Sequence, residues 1–462
     1  MKKIAFMIAG ITSGTGKTTA TQGILSLLIK KGLNVRSFKL GPDYIDSSYH
    51  AKITGTPCIN LDKFLLTPFG ENYRQKEILK ETFYSYAETS DALVVEGVGG
   101  LFDDWNNDGN NPAQIAIDLG IPILLIADGF SFCQTLGIML NPLFEYNPEL
   151  KIAGVVLNKI SSDKHFEKII EPISPQHKDK IIGYISADEK LFINERHLGL
   201  ITESETDNIS ERTNYLAEIF SRIINLDFIL QLNVEIPLQY LVETISHQKY
   251  KCRIAVARDK AFSFHYQYNL DCLERLGAEL VYFSPINDKA LPYNIDGIYL
   301  GGGFPEVFAS ELSANTALIN QIKTVADNGM PIYAECGGLM YLCEDLGEFE
   351  TNKKFKSVGI FPMEANMNAK LSLSYAVGEL SQDCLIGSKG DTFKGHIFHK
   401  SQVIEKDNTK KSCIIKSIDA KINLLEGYSY KNVYASYLHI HFKSCQLVAE
   451  SFINKASQNC IL

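Results

Sequence analysis

The chain opens with a short apolar run, Ile4 to Met7, that leads into Ile8-Ala-Gly-Ile-Thr-Ser-Gly-Thr-Gly-Lys-Thr-Thr19 and then into an amphipathic run to Lys31. A buried strand feeding a glycine-rich turn that opens a helix aims several backbone N–H groups at one point, which suits a polyphosphate. The segment is therefore read as the phosphate-binding loop of an ATP-binding domain, with Ser13, Gly14, Thr15, Gly16, Lys17, Thr18 and Thr19 as its contacts. Gly14 and Gly16 let the backbone approach the phosphates, Lys17 supplies a point charge, and the Thr18 hydroxyl is a candidate magnesium ligand. Five residues separate Gly10 from Gly16, one more than the usual spacing. The bland alternative is a flexible glycine-rich turn with a surface lysine, and the flanking strand and helix signals speak against it.

A parallel α/β architecture follows from what comes after the loop. Asn34 to Leu40 is an extended run that empties into Gly41-Pro-Asp-Tyr-Ile-Asp46. Lys39, Asp43 and Asp46 are thereby placed at the carboxyl edge of a sheet, where open α/β folds bind ligands. Asp43 is a candidate magnesium ligand, its alternative being an ordinary turn aspartate. Asp91 to Glu96 is an apolar strand ending in an acid and followed by glycines, as nucleotide hydrolases present a carboxylate to magnesium, so Glu96 is the metal-site acid. Its alternative is a buried ion pair with a nearby lysine. Pro122 to Asp128 and Ile152 to Lys159 are continuous apolar strands, hence covered on both faces. Asn158 and Lys159 end the second of them, where an amide can read an adenine edge. Ile181 to Tyr184 reads as an edge strand, Arg196 and His197 as contacts to a carboxylated ligand or as ion-paired caps, Asp207 to Phe228 as one amphipathic helix, and Glu243 to Lys251 as a linker.

At 462 residues the chain needs two or three domains. A net charge of -9 argues against general nucleic-acid or anionic-membrane binding. No apolar run reaches membrane-spanning length, and the N-terminal apolar stretch already serves the phosphate loop, so the expected compartment is the cytoplasm. The ten cysteines are scattered without a C-x-x-C pair, which points to mostly reduced, buried thiols rather than a zinc site or disulfide framework.

A fresh α/β unit starts at Cys252, without any apparent internal repeat of the first. It runs through a helix from about Asn269 to Leu276 and delivers Gly301-Gly-Gly-Phe-Pro-Glu306 at a strand end. Met330-Pro-Ile-Tyr-Ala-Glu-Cys-Gly-Gly-Leu-Met340 is a strand, a nucleophile and a helix, the elbow that lifts a side chain above a sheet. Cys336 is the candidate nucleophile, with the helix N-terminus expected to favour its thiolate. The alternative is a buried structural thiol. Gly302, Gly303 and Gly337 are candidate oxyanion donors. Tyr434 to Phe442 reads as one strand with His439 and His441 on the same face, one as base and the other as orienter. His396 and His399 bind substrate or sit on an edge strand; as a metal site they lack a third ligand.

Taken together, these motifs resemble the cobyrinate a,c-diamide synthase family. The likeness rests on the phosphate loop, Phe38-Lys-Leu-Gly-Pro-Asp-Tyr-Ile-Asp46, Asn60-Leu-Asp62, Glu96-Gly-Val, Arg196-His-Leu-Gly-Leu200, Gly301 to Glu306, Glu335-Cys-Gly-Gly-Leu-Met340 and Ala435-Ser-Tyr-Leu-His439. The longer loop spacing is also found in this family and in its relative dethiobiotin synthetase. The resemblance implies a dethiobiotin-synthetase-like ATP-using synthetase domain over residues 1–245, followed by a class I glutamine amidotransferase domain over 252–462. It implies that Cys336 and His439 release ammonia from glutamine, with His441 as a possible orienter. ATP and Mg2+ would serve the first half through Lys17, Thr18, Asp43 and Glu96, and Tyr44, Asp46, Arg196 and His197 would face the substrate. The implied reaction is amidation of the a and c carboxylates of cobyrinate or hydrogenobyrinate through an acyl phosphate, in a possible homodimer.

Alternative readings are the same chemistry on another polycarboxylate such as nickel-sirohydrochlorin, and a nucleotide-binding switch with a non-catalytic second half. The family usually has Gly-His-Glu-Phe-His-Tyr-Ser where this chain has Gly395-His-Ile-Phe-His-Lys-Ser401, and a methionine where Gly99 stands. Ile397 and Lys400 are expected to alter a wall facing the substrate or the interdomain contact. Leu371-Ser-Leu-Ser-Tyr375 also departs from the expected pattern.

Overall fold

The computed structural model describes residues 2–104, 109–187, 195–196, 199–200, 209–240, 250–349, 351, 353–367 and 369–459. The chain divides into two compact units, one of residues 1–63 and 73–243, the other of 64–72 and 244–462. The short stretch 64–72 thus goes with the second unit, although the sequence reading places it inside an unbroken first domain.

In the first unit, β1 (Lys2–Gly10) is a central strand, flanked in parallel by β4 (Ala92–Glu96) and β5 (Ile123–Asp128). Outward from these lie β2 (Val35–Leu40) and β3 (Ile59–Leu61) on one side, and β6 (Ile152–Ile160) and β7 (Ile181–Ser186) on the other, in the order β3-β2-β4-β1-β5-β6-β7. Burial on both faces explains the unbroken apolar runs: all five residues of β4 and the first five of β5 are buried. Helix α1 (Lys17–Lys30) covers one face, where Ala20, Ile24, Leu25 and Leu28 pack with Phe6, Ile8, Val94, Leu124 and Val156. A Cβ on Gly23 would stand 2.1 Å from Phe220, so glycine there lets a neighbouring helix close onto α1.

The single helix expected over 207–228 is two, Ile209–Ile223 and Leu226–Gln231. The break falls at Asn225, whose side-chain Oδ1 accepts the Asp227 N–H at 2.9 Å and caps the second helix. Among short strands, β8 (Glu195–Arg196) pairs with β9 (Gly199–Leu200), and β10 (Asn233–Glu235) returns antiparallel to β1.

The second unit carries parallel strands β11 (Cys252–Ala257), β12 (Ala278–Phe283), β13 (Gly297–Leu300) and β14 (Ile332–Glu335). A small sheet joins β15 (Cys343–Gly347), β16 (Lys354–Lys356), β17 (Phe361–Asn366) and β20 (Gln402–Glu405). The main sheet continues through β18 (Ser372–Leu380), β19 (Thr392–His399), β21 (Lys411–Ser417), β22 (Asn423–Tyr430), β23 (Val433–Ser436) and β24 (His439–Ile440), in the order β12-β11-β13-β14-β23-β22-β21-β18-β19-β24. The first helix of this unit is Gln267–Arg275. Among the described residues no helix is long and apolar enough to cross a membrane.

The run expected as one strand over Tyr434 to Phe442 is interrupted after Ser436. Buried Glu426 accepts the Tyr437 N–H at 2.6 Å and the Ser436 hydroxyl at 2.7 Å, and the Ser436 oxygen accepts the Leu438 N–H at 2.9 Å. These bonds turn the chain away from β14 and β22, so that His439 pairs with His396 on β19. His439 and His441 therefore do not follow from a single strand's alternation.

Candidate active sites

Register delivers the residues of the first centre. In the parallel pair β2/β4, Lys39 lies opposite Glu96; in β5/β6, Asp128 lies opposite Asn158; and Ile8 of β1 lies opposite Glu96, two residues before the phosphate loop. All of these are carboxyl ends of strands, the edge where such sheets bind ligands. The loop then enters α1 at Gly16, whose φ of 92° is a left-handed conformation that suits glycine.

Within the loop, the buried Lys17 ammonium donates to the carbonyls of Thr12 at 3.3 Å and Gly99 at 2.6 Å. Burial and the neighbouring Lys39 lower its proton affinity. Gly99 has φ 60°, a left-handed conformation that suits glycine. Ser13 and Gly14 are exposed, Thr15 is buried, and Thr19 lies in the first turn of α1.

The Thr18 hydroxyl meets Glu96 Oε1 at 2.8 Å and Asp46 Oδ2 at 3.2 Å. The same two carboxylates hold the buried Lys39 ammonium, at 2.7 Å for Glu96 and 2.5 Å for Asp46. Glu96 Oε2 is engaged by His50 Nε2 at 2.6 Å. Burial would raise Glu96, but Lys39 and His50 hold it well below the usual carboxylate range. Burial and then Asp43 push Asp46 well above it. Lys39 is raised in turn: burial opposes its charge, and Asp46 and Glu96 outweigh burial.

The ion pair weighed for Glu96 is thus present, and His50, which no sequence motif singles out, is one of its partners. Asp43 stands apart from the cluster. Its Oδ1 accepts the Asp46 N–H at 3.0 Å at the start of α2 (Ile45–Thr54), and its Oδ2 is 3.8 Å from Lys39. Tyr44 is buried at the same helix start. The oxygens of Thr18, Asp46 and Glu96 form a hard donor set of the kind magnesium takes together with nucleotide phosphates.

Asn158 faces the phosphate loop. Its Nδ2 donates to the Thr15 carbonyl at 2.8 Å, and its Oδ1 accepts the Lys159 N–H at 2.9 Å. One N–H of the amide thus braces the loop, and a Cβ on Gly16 would stand 2.3 Å from its nitrogen. Lys159, with φ 57°, pairs with Asp128 at 2.6 Å and reaches the Gly14 carbonyl at 3.4 Å. Arg196 lies in β8, and His197 falls outside the described residues.

The second centre is built on the end of β14. Cys336 has φ 47° and ψ -100° between that strand and the helix Gly337–Leu342, a strained elbow for a non-glycine residue. Its N–H donates to Ser436 of β23 at 2.7 Å, which fixes the elbow to the strand that precedes His439. The thiolate expected from the helix end does not follow. Burial and the Glu306 carboxylate push the thiol well up, against the opposing Gly337 N–H. His439, 1% exposed, is lowered to about 3 by burial and by His399. The resting pair is a neutral thiol and a neutral imidazole.

The Gly303 nitrogen is 3.0 Å from where a Cβ of Gly337 would stand, so glycine at 337 lets the two backbones approach closely. Gly302 is not a third donor, because its N–H is spent on the Phe264 carbonyl at 3.1 Å. Its role is steric, since a Cβ there would lie 2.6 Å from His439 Cε1.

His441 sits between the rings of Tyr266 and Tyr268, at 4.7 and 5.3 Å, and its Nδ1 accepts the Lys443 N–H. An acidic side chain stands beside His439: Glu335 Oε2 is 3.9 Å from its Nδ1. His396 is buried, bonded to the Tyr266 hydroxyl at 2.9 Å and stacked on His439 at 4.7 Å. His399 Nδ1 donates to the Ser401 carbonyl at 2.7 Å and its ring stacks on Tyr437. Ile397, expected on a substrate-facing or interdomain wall, is 4% exposed and lies in the apolar core with Ala376, Leu438 and Ile440.

Comparison with known proteins agrees with this two-part layout. Residues 6–200 match the CobQ/CobB/MinD/ParA nucleotide binding domain, and residues 253–447 the CobB/CobQ-like glutamine amidotransferase domain. A cobyrinate a,c-diamide synthase of Caldanaerobacter subterraneus is 38% identical over 455 residues, covering 98% of each chain. Those of Dehalococcoides mccartyi and Listeria innocua are each 38% identical, covering 97% and 96% of both chains respectively. The chain belongs to the cobyrinate a,c-diamide synthase family.

Proposed function

We propose that the chain amidates the a and c carboxylates of cobyrinate, or of hydrogenobyrinate, drawing nitrogen from glutamine and energy from ATP. It is a ligase with glutamine as amide donor. A carboxylate is a poor electrophile and hydroxide a poor leaving group, so phosphoryl transfer from ATP activates the acid and ammonia displaces phosphate to leave the amide. In the first centre the phosphate loop, with Lys17, holds the nucleotide. Thr18, Asp46 and Glu96 would hold magnesium, which supplies charge neutralisation at the phosphates. Asp43, set 3.8 Å from Lys39 at the start of α2, orders the turn that carries Asp46.

In the second centre Cys336 gives its proton to His439, and its sulfur bonds to the glutamine carboxamide carbon. The developing oxyanion is met by the N–H groups of Gly303 and Gly337. The proton passes to the leaving nitrogen, the C–N bond breaks and ammonia departs. Water then hydrolyses the thioester to release glutamate. The substrates are small molecules, and the compartment is the cytoplasm.

The observation that carries this reading is the strained Cys336 elbow tied to Ser436, at the end of the strand that leads into His439, in a chain that also holds a braced phosphate loop. The test is mass spectrometry after incubation with glutamine, ATP and each candidate acid. Each acid-to-amide conversion lowers the mass by about one unit. Product from cobyrinate is expected, and its absence with every tetrapyrrole tried would sink the assignment.

A further inference from the structure

The base of the glutaminase centre is held on three sides. Gly302 leaves room for its Cε1 edge, His396 lies parallel to its ring at 4.7 Å and 15°, and Glu335 Oε2 is 3.9 Å from Nδ1. The residue the sequence offers as orienter, His441, is occupied elsewhere by Tyr266, Tyr268 and the Lys443 N–H. Glu335 has a position that no separate orienter would share, because it is the residue immediately before the nucleophile.

Its carboxylate is also tied to the base's own strand. Oε1 accepts the N–H of Ile440, the residue after His439, at 3.1 Å. The Tyr333 hydroxyl donates to Oε1 at 2.5 Å and the Tyr299 hydroxyl to Oε2 at 3.1 Å. A fully buried acid with this many donors is fixed in direction, and it links the strand that carries Cys336 to the strand that carries His439. At 3.9 Å it is beyond hydrogen-bond length from a neutral imidazole, yet close enough to attract the imidazolium that forms when the thiol proton arrives.

We propose that Glu335 is the positioning carboxylate of the glutaminase centre: it sets the direction of the His439 ring and stabilises its protonated form, without touching glutamine. This rests on the assignment of Cys336 and His439 as the ammonia-releasing pair.

The test is Glu335→Gln, which keeps the volume and an acceptor for the Ile440 N–H but removes the charge. Glutamate release is expected to lose about a hundredfold in kcat with little change in the KM for glutamine, the size expected when a general base is disabled. Amidation with ammonium chloride in place of glutamine should continue at the wild-type rate, which shows that the chain is folded. Glu335→Asp, which restores the charge, should recover part of the loss. A kcat within threefold of wild type for Glu335→Gln would overturn the proposal, and so would a loss that appears only in KM. Should that variant fail to fold, Tyr299→Phe decides, because it removes a hydroxyl from the oxygen that faces His439: a lowered kcat supports the proposal and an unchanged one overturns it. Failure of the underlying assignment looks different. Wild-type protein would then release no glutamate, or Cys336→Ala would leave release intact.

Discussion

The side-chain amide of Asn158 donates to the main-chain oxygen of Thr15 at 2.8 Å, joining the end of β6 to a loop 143 residues earlier in the chain. Thr15 is 1% exposed, so without this donor its carbonyl has little access to water. Asn158→Ala should therefore weaken ATP binding about tenfold, the equivalent of one buried hydrogen bond. Asn158→Asp should be worse, since a carboxylate oxygen would face the Thr15 carbonyl. Titration with a fluorescent nucleotide measures both, and glutamate release serves as the control that should not move. Wild-type affinity in Asn158→Ala would show that the loop keeps its shape without the brace.

Lys39 carries a second prediction because one ammonium serves two buried acids. Its replacement by methionine keeps the stem and leaves Asp46 and Glu96 without that cation, a change of the kind that costs about 3–5 kcal/mol. The sign with pH is defined. In the wild type Glu96 is held well below its ordinary value, so its contribution is present above that value and is lost as pH falls. In Lys39→Met both acids shift upward, and protonation relieves them. The stability deficit should accordingly be larger at pH 8 than at pH 5 in urea unfolding. An equal deficit at both values would mean that the cluster's charges do not set its stability.

Much of this arrangement is legible in the residue order. Apolar strands that end in Lys39, Glu96 and Asn158 can be read directly, and parallel pairing then brings such ends to one edge. Illegible in the sequence is where each side chain spends its hydrogen bonds. An asparagine at a strand end carries no sign that it braces a loop, and only the bond to the Thr15 carbonyl shows it. His50 carries no motif signal because it acts through Glu96, 46 residues away. The misplacement of His441 has a single cause, buried Glu426: a lone acid on another strand cannot be seen to interrupt the run from Tyr434 to Phe442. Period-two reasoning works only as far as the strand persists.

Glu426 also sets a pH dependence. Burial pushes it up to about 7, against the opposing bonds from Tyr437 and Ser436. A carboxyl raised in the folded state contributes stability that is complete below its ordinary value of 4.5 and is lost as pH rises through about 7. Over that window the loss is about 3 kcal/mol. Glu426→Gln keeps the shape and does not titrate, so it should match the wild type near pH 5 and exceed it in stability near pH 8. Glu335, also pushed up to about 7 by burial, should leave a residual slope in the variant. Denaturant midpoints across pH 5 to 8 provide the comparison, and parallel curves for variant and wild type would refute the role given to Glu426.

Residues 64–72 belong to the second unit, and Lys394 of β19 is the residue that holds them there. The residue is 4% exposed, and its ammonium donates to the Thr67 carbonyl at 2.8 Å and lies over the rings of Phe64 and Phe69 at 5.0 and 5.1 Å. Phe64 in turn packs on Tyr375 of β18 at 5.0 Å. Lys394→Met keeps the apolar stem and loses both the hydrogen bond and the cation–π contacts, together about 2 kcal/mol of local stability. Phe69, already 42% exposed, then becomes the expected site of attack by chymotrypsin. Cleavage there should be about thirty times faster than in the wild type, because the opened population scales with that free energy. Lys394→Arg should restore resistance, since a guanidinium can make both kinds of contact. Equal cleavage rates in Lys394→Met and wild type would place the anchoring of this stretch in the aromatic contacts alone.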